Sequence, residues 1–340
     1  MEIKKLAFGL IIVLTTQVIG AQDLPKIVPP PAEAAAFTKF TEIPVSLYNG
    51  LPNINIPFYT IPIEQASIPV GLSYHAKGIQ VEEIASSVGI GWTLNTGGSI
   101  TRQIRGSADE FIANGVTGYL RDNFYETFFT SPSTRLAVYN SDLLGEQDMY
   151  PDSFHFNFMG YSGKFIFDQR TKLPIIQHFS DLSITPIWEN GTYGRILGWD
   201  VVTPNGFKLR FGISSDGLRT ARDKEVVLDN ITFDTALSVT TATGSVDANM
   251  AWHLLDIVGP NGKTVTYSYV PENTTYCRRS YDKFDAGTSL VRSYASKVRP
   301  QQSYISEILH EKGKIKFIKG IERADLSGGH SLERLQPTST

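Results

Sequence analysis

Apolar and polar residues alternate through Ile68, Val70, Leu72 and Tyr74, the period of two that sends every second side chain to one face of a sheet. The pattern predicts a half-buried strand. Gly78 interrupts it, Glu82 and Glu83 mark a polar crossing, and Gly89-Ile90-Gly91-Trp92 sets an indole beside positions without side chains. Glycine there suits close backbone approach or positive φ. Gly97-Gly98 then predicts a turn that returns the chain into a second alternating stretch over residues 99–104.

From Tyr150 onward a looser repeat appears, in which a strand meets a turn and a Gly-Lys or Gly-Phe-Lys strand follows. Phe154, Phe156 and Phe158 alternate before a turn at Met159, and Gly163-Lys164-Phe165-Ile166-Phe167 returns. Trp199 to Val202 leads through Pro204-Asn205-Gly206 into Phe207-Lys208-Leu209-Arg210-Phe211. Trp252 to Val258 turns at Pro260-Asn261-Gly262 and returns from Lys263 to Tyr269, and Tyr304 to Leu309 turns at Lys312-Gly313 into Lys314-Ile315-Lys316-Phe317. Asn205-Gly206 and Asn261-Gly262 predict type I′ turns, whose two central positions both need positive φ. The turn glycines Gly163, Gly206, Gly262 and Gly313 are spaced too irregularly for a strict solenoid.

The remaining stretches are less regular. Residues 1–21 carry a charged start at Lys4-Lys5, an apolar run from Leu6 to Leu14 and a small-residue end at Gly20-Ala21. This is the three-part pattern of a secretory signal peptide, with an apolar core too short for a membrane span. Residues 22–42, with Pro29-Pro30-Pro31 and the alanines around Glu33, read as an extended leader. Residues 43–106 form the first sheet module, 107–149 an irregular insertion with a short helix or two, 150–322 the hairpin region, and 323–340 a ragged end.

Composition adds limits on partners and compartment. The net charge is −3, and removal of Glu2, Lys4 and Lys5 with a signal peptide makes it one unit more negative, so no polyanion such as nucleic acid is indicated. No segment after residue 21 has the apolar length to cross a bilayer as a helix. Cys277 is the only cysteine, so no disulfide forms within the chain although the expected compartment is oxidising. Stability must come from burial and backbone pairing.

Reactive constellations are sparse. The histidines are His75, His155, His178, His253, His310 and His330, and none stands in an HExxH pattern. His155 lies between Phe154 and Phe156 and so belongs to the opposite, solvated face, while His75 reads as a structural hydrogen-bonder. Gly160-Tyr161-Ser162-Gly163 has the wrong spacing for a nucleophile elbow. Cys277 lies beside Arg278 and Arg279 but has no identifiable base. Glu82-Glu83 and Asp109-Glu110 are adjacent pairs, which on a strand face opposite ways and cannot flank one bond, so they read as loop solvation. Asp216, Asp223 and Asp234 lack calcium-loop spacing, and no phosphate loop occurs. The expectation is no catalytic residue, no cofactor and no metal.

Several quoted segments together resemble a known family. Gly50 with Leu51-Pro52-Asn53-Ile54-Asn55-Ile56-Pro57, the strand Leu72-Ser73-Tyr74-His75, and the turn Gly89-Ile90-Gly91-Trp92-Thr93-Leu94 are similar to the N-terminal region of bacterial Rhs/YD-repeat proteins. A more distant likeness is to the opening module of toxin-complex shell and virulence-plasmid proteins. The resemblance covers residues 40–106 by motif and the remainder by style. It implies a mainly β fold: antiparallel hairpins in a sandwich-like N-terminal module, followed by a curved sheet of YD-type hairpins. Its structural motif residues are Pro52, Pro57, Tyr74, Gly89, Gly91, Trp92, Gly97, Gly98, Asn205, Gly206, Asn261 and Gly262.

The function expected from this resemblance is a non-enzymatic exported module, secreted or at the cell surface, from a shell or surface protein. Its implied partners are a downstream YD-repeat segment or an associated effector or toxin. Arg323-Ala324-Asp325-Leu326 is similar to a family motif that precedes a further long sheet segment, so a truncated member is expected. Lone hairpins are marginal and leave open edges, so residues 22–340 alone are expected to be poorly soluble or oligomeric. A rival reading is a surface protein that recognises glycans through exposed Trp and Tyr on the hairpin faces, with Trp188 and Trp199 as the positions to test; a third is a secreted hydrolase hidden in the insertion.

Overall fold

The computed structural model describes residues 50–76, 78, 83, 85–113, 116–121, 126, 128–143, 148–178, 180–191, 194–233, 239–243, 247–273, 276–285 and 290–320. For 112–113, 116, 141–143, 225–233, 239–243, 247, 276–285 and 290–298 the description is of the backbone alone. The expected signal peptide, leader and ragged end therefore lie outside the described residues, as do Glu82, Asp234, His330 and the side chain of Cys277. Two compact units divide the chain, Met1–Ile54 with His75–Lys77, and Asn55–Tyr74 with Gly78–Thr340. In the first, Gly50 has a φ of 69°, Pro52 is half-buried and His75 is exposed. All that follows concerns the second.

The fold is mainly β and antiparallel, as the alternation predicts. Strands β1 (Asn53–Ile63), β2 (Ala66–His75) and β3 (Trp92–Asn95) form a three-stranded sheet in that order. Ile68 and Val70 are buried with Ile61 and Ile63, while Leu72 and Tyr74 on the same face are half-buried. Pro57 is exposed on β1. Tyr74 pairs with Trp92 across β2 and β3, their rings 5.0 Å apart, so two of the motif residues make one contact. Gly89 and Gly91 have φ of 115° and 75°, and the Ser86 hydroxyl lies within hydrogen-bond reach of the carbonyls of Gly89 and Trp92.

The Gly97-Gly98 turn does not fold β4 (Gly98–Gln103) back onto β3; β4 enters a different sheet. The reason is steric. A Cβ on Gly97 would lie 2.5 Å from the Tyr267 hydroxyl, and one on Gly98 would lie 2.3 Å from the Asn157 carbonyl oxygen. The two glycines let the backbone step through a crowded site rather than reverse.

The larger, 14-stranded sheet gathers β4, β7 (Ser153–Phe158), β8 (Tyr161–Phe167), β9 (Pro174–Gln177), β10 (Ser183–Trp188), β11 (Ile196–Val202), β12 (Lys208–Phe211) and β15 (Asp247–Val258) into one antiparallel path. Its order is β9-β8-β7-β4-β15-β12-β11-β10. The sheet curls until its arms face each other. Phe158 of β7 meets Phe211 of β12 at 5.3 Å, Phe165 of β8 meets Trp199 of β11 at 5.1 Å, and Phe167 of β8 meets Trp188 of β10 at 5.8 Å. The alternating phenylalanines thus line a ring-filled interior, completed by the fully buried Trp252.

β15 is the branch point. One of its edges takes β12 and β13 (Arg222–Phe233), the other β4 and β16 (Thr264–Asn273). Beyond it, β18 (Leu290–His310) pairs with β13, β16, β17 (Tyr276–Asp285) and β19 (Gly313–Lys316), and β14 (Val239–Thr243) pairs with β13.

All four expected hairpins form, as β7–β8, β11–β12, β15–β16 and β18–β19. The second, third and fourth lie side by side in chain order, as β11-β12-β15-β16-β18-β19, whereas the first is set apart, joined to β15 through β4. Their turns also differ from expectation. Neither Asn205 nor Asn261 has positive φ; only Gly206 (79°) and Gly262 (84°) do. The Gly206 amide donates to the Thr203 carbonyl and the Thr203 amide to that of Phe207, a three-residue loop with a type I turn and a left-handed glycine. Gly259 to Lys263 repeats it. Pro204 and Pro260 hold φ near −65° at the first corner, which excludes them from a mirror-image turn. Of the four hairpin turns, the one with positive φ at two successive positions is Met159-Gly160, at 46° and 82°.

These glycines give a measurable contrast. A Cβ on Gly262 meets nothing within 4 Å, so Gly262→Ala is expected to cost only its left-handed backbone, about 1–2 kcal/mol. Gly98→Ala adds a collision with backbone to its φ of 138° and is expected to cost more. Urea denaturation of both variants checks the order; equal costs would mean that the β4–β7 contact relaxes freely.

In the insertion, a helix α1 (Pro132–Leu143) begins with Ser131, whose hydroxyl accepts from the Thr134 amide while Thr134 Oγ1 accepts from the Ser131 amide. The two-residue strands β5 (Ile112–Ala113) and β6 (Val116–Thr117) pair beside it in sequence.

Candidate functional site

The densest polar chemistry among the described residues lies at the inner end of β4. Ile100 and Arg102 share the inward face of that strand, so the pleat that buries the isoleucine also carries a guanidinium into the core. Arg102 lies opposite Phe154 on β7, its guanidinium carbon 5.3 Å from the ring centre. A desolvated cation must be paired. Arg102 Nε donates to Asp152 Oδ2 at 2.7 Å, Nη1 donates to Glu110 Oε1 at 3.0 Å, and Nη2 completes a bidentate pair with Glu110 Oε2.

Asp109 joins the cluster through the backbone. Its amide donates to Asp152 Oδ2 at 3.0 Å, and the Asp152 amide donates to Asp109 Oδ1 at 2.9 Å. The Arg105 amide donates to Asp152 Oδ1 at 2.8 Å, and Arg121 Nε to the Glu110 carbonyl at 2.9 Å. Among the described residues, no hydrogen-bond partner reaches the buried Asp109 Oδ2. One cation therefore faces three carboxylates, all buried.

That imbalance sets the titration. Burial and the neighbouring Asp152 carboxylate push Asp109 well above the usual carboxylate range, outweighing Arg102. Burial also raises Asp152, although Arg102 and two backbone amides pull it down. For Arg102, burial works to lower the pKa, but Glu110 and Asp152 more than offset it and the group stays cationic.

Reading Asp109 and Glu110 as loop solvation is thus corrected. The strand rule that sends neighbours to opposite faces does not apply, because the pair sits in a turn closed by the Phe111 amide on the Ala108 carbonyl at 2.7 Å. Both side chains reach one cluster. The signal was present in the alternation of Ile100, Arg102 and Ile104, which places an arginine in phase with apolar residues.

The other candidate groups do not converge. His253 Nε2 is 2.8 Å from Asp223 Oδ2, and Asp223 Oδ1 accepts from the Ser303 amide, but among the described residues no hydroxyl or thiol is bonded to His253. His155 is exposed, with Nε2 3.3 Å from Ser153 Oγ. Asp216 is occupied by the Ser214 hydroxyl and the Leu218 amide. Among the described residues no three His, Cys, Asp or Glu side chains are grouped to hold a metal ion. Pro174, Ile176, His178, Ser180 and Leu182 line an open depression of about 500 Å³ beside the outer strand β9.

Trp199 and Trp252 are fully enclosed, with Trp252 Nε1 donating to the Ile196 carbonyl at 3.1 Å; Trp92 and Trp188 are half-buried. The motif residues act by geometry: Gly97 and Gly98 admit close packing, Tyr74 and Trp92 meet in a tilted ring contact, and Gly206 and Gly262 close turns. The second loop is also clasped from outside, since the Glu64 carboxylate accepts from the amides of Asn261 and Lys263 and from Asn261 Nδ2. No family model, no curated protein and no solved structure matches this chain.

Proposed function

We propose that this chain is a non-enzymatic, exported structural module of the kind its N-terminal motifs resemble, the first part of an Rhs/YD-repeat shell or surface protein. The observation that carries this reading is the construction of the large sheet. Its aromatic residues point inward onto one another, and its polar cluster ties a loop to two strands rather than lining a cleft. Such a body bears load and offers strand edges, at β9 and β19, to a continuing repeat segment. Trp199, enclosed by Phe154, Phe165 and Phe167, has no face to stack on a sugar, which disfavours the glycan reading at that residue.

The test has two parts. A reporter enzyme active only after export, fused behind residue 340, is expected to work and to lose activity when residues 1–21 are deleted. The exported chain is expected to turn over no glycoside or ester in a substrate screen. Reporter activity independent of residues 1–21, or saturable turnover, overturns the reading.

A further inference from the structure

Two hairpin loops of the large sheet carry the same tripeptide, Pro204-Asn205-Gly206 and Pro260-Asn261-Gly262, which no other Asn-Gly pair of the chain shares. They also share a backbone. Gly206 and Gly262 have φ of 79° and 84°, and their amides donate to the carbonyls of Thr203 and Gly259, each at 2.9 Å. Both asparagines are exposed. What differs is the hold on the side chain. Asn261 is gripped by Glu64: Asn261 Nδ2 donates to Oε2 at 3.2 Å, its backbone amide to Oε1 at 3.0 Å, and the Lys263 amide to Oε1 at 3.3 Å. The seat needs a glycine, since a Cβ on Gly259 would lie 2.2 Å from Glu64 Oε1. In the first loop the matching position is Thr203, whose hydroxyl accepts from the Phe207 amide at 3.1 Å, and among the described residues nothing is bonded to the Asn205 side chain.

We propose that Asn205 is a site of spontaneous deamidation, and that Glu64 withholds the matching Asn261 from the same reaction. The nucleophile is the amide nitrogen of the following glycine, which no Cβ shields. Once that nitrogen has given its proton to hydroxide, it attacks Asn205 Cγ. The N–Cγ bond forms, the Cγ–Nδ2 bond breaks, and the nitrogen leaves as ammonia with a proton taken from water. The product is a cyclic imide. Water then opens the ring at either carbonyl, leaving aspartate, or isoaspartate with the chain running through the side-chain carbonyl. Hydroxide is regenerated, so water is the only reagent consumed.

Each glycine amide must first leave its carbonyl, that of Thr203 or of Gly259, and this step is common to both loops. The approach of Cγ separates them. Asn205 can turn its carboxamide toward the Gly206 nitrogen without giving up a side-chain bond to any described residue. Asn261 must release Glu64 first, and a hydrogen bond to a charged partner slows such a rotation by a factor of about ten or more. Conversion of Asn205 leaves one more negative charge at the tip of the β11–β12 hairpin. That tip adjoins the second loop, since a Cβ on Gly206 would lie 3.4 Å from the Pro260 Cβ. The chemistry requires only the two loops and does not depend on the export reading.

The test is to incubate the folded full chain at mildly alkaline pH, sample it over time, and read the converted fraction of each asparagine by tandem mass spectrometry of its peptides. Asn205 is expected to convert about tenfold faster than Asn261. In urea, where the loops are lost, the two should convert at close to the same pace, because each lies between proline and glycine. Glu64→Ala is expected to bring Asn261 up to the pace of Asn205 and to leave Asn205 unchanged. Equal rates in the folded chain, a faster Asn261, or an Asn205 that stays intact while the urea-unfolded chain converts overturns the proposal. An Asn261 that stays slow in folded E64A overturns the role of Glu64. If E64A does not fold, the ratio of the two wild-type rates, folded against unfolded, decides alone.

Discussion

Trp199→Ala is expected to lower the free energy of unfolding by about 3–5 kcal/mol, as for other large aromatic truncations in a packed core. Trp199 is fully buried, and its ring lies 5.4 Å from Phe154, 5.1 Å from Phe165, 5.8 Å from Phe167 and 5.5 Å from Trp252. These partners come from β7, β8 and β15, while Trp199 itself sits on β11, so the indole bridges the facing arms of the sheet. Truncation would leave a void that four other rings cannot close without moving their strands. Trp199→Phe is expected to be far milder, because it keeps most of the ring contact and removes an indole N–H that has no acceptor among the described residues. Urea denaturation of both variants measures the difference. A loss below about 1 kcal/mol for the alanine variant, inside the range of ordinary surface changes, would mean that the arms do not face each other across this ring.

Arg102→Met is expected to be comparably damaging, about 3–5 kcal/mol at neutral pH, because it leaves Asp109, Glu110 and Asp152 buried without their cation. The loss should depend on pH with a definite sign. Without the guanidinium, burial holds the folded-state pKa values of Asp109 and Asp152 above their unfolded ones, so stability survives where they are protonated and drains away as pH rises. The variant should therefore stand closest to wild type at acid pH and furthest from it in alkali. Adding Glu110→Gln and Asp152→Asn is expected to recover much of the loss, since uncharged groups cost less to bury. Denaturation curves across pH check this. A deficit that is constant with pH would assign the effect to the lost contact of the guanidinium with the Phe154 ring rather than to the unpaired acids.

Both predictions depend on contacts that local patterns reach only in part. The alternation of Phe154, Phe156 and Phe158 marks one face of β7 as apolar, and that face is buried. Nothing in it says that the rings opposite belong to β11, β12 and β15. Arg102 could be placed on the inner face from its phase with Ile100, but its partners are eight and fifty positions away, in a turn and at a strand start. A period-two rule has no term for a turn, where consecutive side chains reach the same point. The Asn-Gly pairs were legible as turns, whereas the turn type followed from the prolines before them, which hold the first corner in a right-handed conformation.

What the amino-acid order determined by itself is the local grammar: antiparallel strands, four hairpins closed by glycine, a short helix in the insertion and a core rich in aromatic rings. These follow from side-chain alternation and from φ preferences, which act over a few residues. Only the tertiary structure decided that β4 leaves β3 for β7 and β15, that the sheet curls until its arms meet, and that Asp109, Glu110 and Asp152 converge on Arg102. Strands that are not joined by a tight turn choose partners by which edges and apolar faces remain to be covered. That choice is made by the whole assembled core and is written in no single stretch of chain.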